Sequence, residues 1–368
     1  MIQHDTARLG KKSRRGRIGI LAAPTNKKLK KKLSRLVDLA DCCENGAVIA
    51  FSLQGIIKHD GIINGYLYSR TDRTWRCLTS PLPDAVINRI TLKTEWQDYF
   101  KHTLGANMIN NLTFNKWDMY EWLSSSPYFN HFLPLTWLMT EPTDISRFVT
   151  LHNQCYIKSV NGSYGKGIFK VSKDEKGYKM ETVSSRHMKR TSLYGNEQDI
   201  IAHFARYSRK HNMFILQHVI DLYVANRPID FRLIVVKDGS GQWRDVGLLA
   251  RKGRKYDIVS HSGLVKNGYS ALRNMLTLTR DEAKRLSQKM SEVGLEAAKE
   301  MERLGGHEGN LGNLGIDFGI DQERRLFIIE INHRNPRHRM AVDAGETMIY
   351  KKANTLLADY ATKLALGE

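Results

Sequence analysis

At 368 residues the chain can hold two or three domains, each with its own core, and 41 % hydrophobic with 9 % aromatic residues describes a globular protein. No apolar run reaches the length of a membrane span and the N-terminus lacks a secretion-signal core, so no spanning helix is expected and the cytoplasm is the default compartment. The net charge of +19 is unevenly spread: residues 1–35 carry twelve Lys and Arg against one acid, Asp5.

Residues 1–16 are predicted to be a disordered basic arm that would attract an anionic partner such as nucleic acid or an acidic polypeptide, although a solvated tail has the same composition. Arg17–Ala23 is an apolar run suited to a buried strand, and Leu29, Leu33, Leu36 and Val37 predict a basic amphipathic helix over Asn26–Ala40. Strands are predicted at Ala47–Leu53 and Ala85–Ile90, with a hairpin around Gly61, Gly65 and Tyr66–Tyr68. The four cysteines, Cys42, Cys43, Cys77 and Cys155, have no paired spacing, and a reduced compartment suits them.

A helix is expected over 114–126, with Met119, Trp122 and Leu123 inward, and another over 196–210. Phe214–Ile220, Phe231–Lys237 and Val246–Arg251 read as strands. Thr279–Leu304 is the clearest helix: Thr279 and Glu282 form a capping box, Leu286, Met290, Val293, Ala297, Met301 and Leu304 make one stripe, and Gly305–Gly306 ends it. Strands mixed with helices over the first 110 or so residues imply a small α/β domain there.

Two segments carry chemistry. Between the strand-like Cys155–Val160 and Ile168–Val171, Asn161–Gly167 holds Gly162, Gly165 and Gly167, flanked by Lys158 and Lys170. Glycines let main-chain amides approach a polyphosphate, and a lysine supplies countercharge, although a tight hairpin also uses glycine. In Leu314–Asn332, two apolar runs flank the polar Gln322–Arg325. If Asp321 pairs with Leu326, Asp317 falls opposite Glu330, with Asn332 on the same face. Two carboxylates that close would repel without a cation, and hard oxygen donors select magnesium or manganese; two solvent-facing acids on an edge strand would share the spacing. A P-loop is excluded because GxxxxGK[ST] before a helix is absent. A kinase is excluded because His333-Arg334-Asn335 follows Asp317-Phe318-Gly319, the reverse of the kinase order.

A glycine loop between strands, then a strand acid, then an acid-x-asparagine strand resembles the ATP-grasp superfamily, and within it the YheC/YheD-type proteins associated with the endospore coat. RIGIL, PDAVINRI, FNKW, YIKSVNGSYGKGIFKV, DFRLIVVKDGSGQW, GLLARKG and GIDFGIDQERRLFIIEIN carry the likeness over most of 17–335. The resemblance implies an ATP-grasp fold: an N-terminal α/β domain (17–113) and two α+β subdomains (114–216 and 217–368) enclosing the nucleotide. It implies that Lys116 and Lys158 bind phosphate, that Gly162, Ser163, Gly165 and Gly167 cover it, and that Gln217, His218 and Val219 hold adenine. Arg232 and Arg251 would face the reacting groups, and Asp317, Glu330 and Asn332 would hold Mg2+, or Mn2+.

The implied reaction is ATP-dependent ligation of a carboxylate to an amine through an acylphosphate. The alternative is a spore-coat or nucleic-acid-associated binding protein that keeps an ATP site without ligase activity. After EIN the family continues with a small residue, a base and proline, whereas here His333-Arg334-Asn335-Pro336 follows, and the Ser260–Ser270 loop is poorer in glycine than in relatives. Arg334, Arg337, His338 and Arg339 point to an acidic substrate. The sequence leaves the oligomeric state open.

Overall fold

The computed structural model describes residues 16–162, 167–183, 189–208, 213–258, 260, 263–306, 309–334 and 336–367. The basic arm expected over 1–16 lies outside them except for Gly16, as do Ser163 and Gly165 of the glycine loop. Among the described residues, no helix is long and apolar enough to cross a membrane.

The first sheet has six strands, β1 (Arg17–Ala23), β2 (Ala47–Ile57), β3 (Ile62–Ser69), β4 (Thr74–Pro81), β5 (Ala85–Asn88) and β6 (Met108–Ile109), in the order β4-β3-β2-β1-β5-β6. β1 runs parallel to both β2 and β5, and the almost unbroken apolar runs of β1 and β5 suit strands covered on both faces. The single helix expected over Asn26–Ala40 is instead two short ones, Asn26–Lys30 and Val37–Cys42, with a 3-10 turn at Leu33–Arg35. Like charges four apart, Lys27–Lys31 and Lys28–Lys32, disfavour a continuous helix there. Lys32 turns inward, its Nζ donating to the Ala22 carbonyl at 2.7 Å.

The second sheet is antiparallel throughout. β7 (Thr136–Met139), β8 (Gln154–Ser159), β9 (Ile168–Asp174), β10 (Gly177–Val183), β11 (Lys189–Tyr194) and β12 (Phe214–His218) are ordered β11-β10-β9-β8-β12-β7. The helices Asp144–His152 and Glu197–Ser208 join its core through Ile145, Phe148, Val149, Ile200 and Phe204.

In the third sheet, β13 (Tyr223–Val224) pairs with β14 (Arg227–Lys237), and β15 (Trp243–Lys252), β16 (Leu264–Asn267), β17 (Asn313–Ile320) and β18 (Leu326–Asn332) complete the order β16-β15-β14-β17-β18. Alternation along β14 separates two cores. Phe231, Leu233 and Val235 pack with the helix Arg280–Leu304, joined by Met119, Leu123, Phe129 and Leu133 from the segment after Phe114. Ile234 and Val236 face the other way, onto the C-terminal helix Thr347–Leu366 and β1. Asp230 and Arg232 share that second face by period, so their charges enter the seam between the third sheet and the first.

Helix Arg280–Leu304 bears the expected capping box at Thr279 and Glu282, and buries Met290, Val293, Ala297 and Met301. Gly294 lies so close to β14 that an added Cβ would sit 2.3 Å from Leu233 Cδ2, which explains a glycine mid-helix. Thr279→Ala should cost about 1 kcal/mol of stability, measured by urea denaturation, because the Glu282 main-chain amide loses its acceptor.

Candidate active site

The three oxygen-bearing side chains of β17 and β18 come together, though not through the expected turn. Ile320, not Asp321, pairs with Leu326, and the loop is one residue longer than predicted. A bulge between Asp317 and Phe318 takes up the extra residue, so that Asp317 is again opposite Glu330 and Gly315 opposite Asn332. The Asn332 amide Nδ2 donates to Asp317 Oδ2 at 3.3 Å.

Lys116, Gly162, Arg232, Arg251, Glu330 and Asn332 line one cavity of about 720 Å³. Lys116 stands at the first position of helix Lys116–Ser124, where Asn115 and Asp118 make a capping box. Its main-chain N–H donates to the Val160 carbonyl at 3.2 Å. Its Nζ donates to the Gly162 carbonyl and lies 3.0 Å from Glu330 Oε1, tying the glycine turn to the acidic strand. Gly167, at φ +70°, takes the left-handed backbone that leads the turn into β9.

Lys158 lies behind the cavity on β8, its Nζ donating to Gln217 Oε1 at 2.5 Å, while Gln217 Nε2 donates to Thr136 Oγ1 at 3.0 Å. Burial lowers the Lys158 pKa to about 8, and the nearby Glu330 carboxylate opposes that shift. A lysine so depressed is charged below that pH and neutral above it. If it holds phosphate, nucleotide affinity should fall as pH rises through about 8, and Lys158→Arg should flatten that limb. Calorimetric titration with ADP across this range checks it; an unchanged wild-type profile removes Lys158 from phosphate binding.

Beneath the cavity floor lies a buried charge network. Arg232 grips Asp317 with two N–H groups, Nε to Oδ1 and Nη2 to Oδ2 at 2.7 Å, and Nη1 donates to the Pro336 carbonyl at 3.0 Å. Arg251 forks onto Asp230 with two bonds of 2.6 Å, and its Nη2 lies 3.0 Å from Asp317 Oδ2. Burial opposes the charge on Arg251, but Asp230 and Asp317 outweigh it and hold its pKa above the ordinary value. Ser260 Oγ donates to Asp230, and an added Cβ at Gly315 would meet Arg232 Cδ and Nη1 at 2.9 Å, so glycine leaves room for the guanidinium.

Two carboxylates and an amide oxygen on facing strands are the donor types that a hard dication takes; Glu330 and Asn332 border the cavity, whereas both Asp317 oxygens are held by Arg232, Arg251 and Asn332. Among the described residues no three His, Cys, Asp or Glu side chains cluster as a metal site. The third donor here is an asparagine, and the carboxylates are neutralised by Arg232, Arg251 and Lys116.

The expected adenine segment is not brought to the same cavity. His218 and Val219 border a second one, of about 500 Å³, with Leu133, Leu135 and Phe327. Burial and the neighbouring His152 lower the His218 pKa, and its Nδ1 is buried with no hydrogen-bond partner among the described atoms. Asp230 escaped the sequence reading although it opens the DFR segment, because its partner Arg251 is met only across strands. Of the basic run after Asn332, Arg334 and Arg337 line the main cavity, His338 is buried, and Arg339 points to Asp38 at 3.7 Å.

A sheet carrying an acid-x-asparagine strand, set against an antiparallel sheet with a glycine turn, defines the ATP-grasp fold. The fold is shared with D-alanyl-alanine synthetase A from Vibrio cholerae (TM-score 0.57, 11 % identity, 97 % of this chain and 100 % of that one). It is shared also with N5-carboxyaminoimidazole ribonucleotide synthetase, solved as an ADP complex (TM-score 0.52, 13 % identity, 88 % and 70 %). The description "YheC/D like ATP-grasp" matches residues 105–364, and the chain belongs to that family. The endospore coat-associated protein YheD of Bacillus subtilis is 28 % identical over 318 residues, 83 % of this chain and 67 % of that protein.

Proposed function

We propose that the chain is an ATP- and magnesium-dependent carboxylate–amine ligase. The supporting observation is the convergence of Lys116, Arg232, Arg251, Glu330 and Asn332 on one cavity beside the Gly162 turn, with Asp317 behind it. In this reading a substrate carboxylate oxygen attacks the γ-phosphorus of ATP and ADP leaves. An amine nitrogen then attacks the acyl carbon, phosphate departs, and the amine loses a proton. No side-chain nucleophile is needed.

Lys116 and Lys158 hold phosphate oxygens, with Gly162, Ser163, Gly165 and Gly167 covering them, and Arg232 and Arg251 neutralise charge on the transferring group. Asp317, Glu330 and Asn332 would hold magnesium, which offsets charge on the β- and γ-phosphates. Gln217, His218 and Val219 are assigned to adenine, with His218 and Val219 bordering the second cavity. The spans 17–113, 114–216 and 217–368 are the proposed domains, and the strands of the three sheets follow them apart from the last two residues of β12. The coat association of the Bacillus subtilis relative directs the substrate search to spore-coat polypeptides.

Incubation with ATP, magnesium, and pooled amino acids and acidic peptides should release ADP and phosphate together with a product heavier by the joined amine, read by mass spectrometry. Nucleotide binding with no ADP release from any acid and amine pair would leave a binding protein instead.

A further inference from the structure

Beyond the phosphate-binding residues, the same cavity extends along the first sheet, where its lining turns strongly basic. Lys32 from the loop after the first short helix, Arg89 just past β5, and Arg334 and Arg337 past β18 all line it, and Asp343 is the acid at that end. These residues come from distant parts of the chain. Arg89 is held by its main-chain N–H donating to the Leu21 carbonyl at 3.0 Å. Arg334 Nη1 donates to Thr91 Oγ1 at 2.5 Å and its Nε to His333 Nε2 at 3.1 Å, while the His333 ring stacks on Phe114 at 3.9 Å between centroids. The partners of Lys32 and Arg334 named here are neutral, so both positive charges stay available to the cavity.

Like charges drawn together in a concave site focus a positive potential and recruit anions. Burial lowers the Lys32 pKa, and repulsion from Arg89, Lys28 and Arg35 adds to it; a bound anion would offset that repulsion. His338, held at about 3 by burial and by Arg89 and Arg232, contributes no charge.

We infer that the acid substrate is a polycarboxylate of acidic-peptide type. One carboxylate is presented beside Arg232 and Arg251 for phosphorylation, and a second is held by Lys32, Arg89 and Arg334. This rests on the ligase reading for the fate of the first carboxylate, whereas recognition of the second can be measured without turnover. Lys32 and Arg89 beside the first sheet, with Arg334 past β18, thereby select the substrate, and Arg232 and Arg251 of the third sheet face its activation.

The test is calorimetric titration of the full chain, in ADP and magnesium, with triglutamate, trialanine and O-phosphoserine. Triglutamate should bind at least about tenfold tighter than trialanine, with affinity falling as salt rises. The double variant Lys32→Gln/Arg89→Gln should lose about tenfold or more in triglutamate affinity and keep ADP affinity within about twofold. Arg334→Gln, from the segment after β18, should act in the same direction and serves if the double variant fails to fold. Equal binding of the two peptides, or variants unchanged for triglutamate, would overturn the inference, as would tighter binding of O-phosphoserine, which would assign the basic end to a phosphate ester. ADP release from neutral acids alone sinks this inference and leaves a ligase; triglutamate bound with no ADP release under any condition sinks the ligase reading and leaves the anion site.

Discussion

Glu330→Ala should lower ATP turnover by about a thousandfold while the protein stays folded. Glu330 borders the cavity with 23 % of its side chain exposed, so its removal leaves little buried surface unfilled. Its partner Lys116 keeps a second acceptor in the Gly162 carbonyl, so no charge is stranded. Unfolding free energies of wild type and variant should agree within about 1 kcal/mol, the range expected for a partly exposed pair. Coupled-assay ADP release measures the first effect and urea denaturation the second. Near-normal turnover would remove Glu330 from the metal site.

Asp317→Ala should behave in the opposite way, as a failure of folding before a failure of chemistry. Asp317 is 1 % exposed, and its oxygens meet Arg232, Arg251 and Asn332. Without it Arg251 retains Asp230, but Arg232 keeps only the Pro336 carbonyl among the partners described above. Leaving a guanidinium buried and uncompensated costs about 3–5 kcal/mol. Asp317→Asn, which keeps the shape and one acceptor oxygen, should cost less. Equilibrium urea unfolding ranks the three proteins, and an unchanged midpoint for Asp317→Ala would show that the network does not hold the sheet together.

The contrast between these two acids was only half legible beforehand. Their pairing could be read because alternation along two apolar runs puts Asp317 and Glu330 on one face, and it survived a wrong turn register because a bulge absorbed the extra residue. Their burial could not be read, since the lids over Asp317 are Arg232 and Arg251, which lie 85 and 66 residues earlier in the chain. Helix Arg280–Leu304 was legible almost to the residue, because its stripe lies within it and its cap and terminating glycines directly adjoin it. The helix expected over Asn26–Ala40 broke because its leucine spacing was right while its lysines repel and Lys32 is drawn inward.

Amino-acid order alone settled helix Arg280–Leu304 and the main buried strands, because propensity, period and capping act over a few neighbours. Its motifs carried the resemblance that named the fold family and the residues proposed to hold phosphate and a hard cation. Strand order and packing settled which charges meet. β1 lies between β2 and β5, so Lys32 and Arg89, with Ile90 and Thr91, reach a cavity otherwise built from residues 114–343, and Asp230 aligns Arg251 across a ladder. Such meetings depend on hydrogen-bond register and on cores shared between distant segments, and neither leaves a local pattern along the chain.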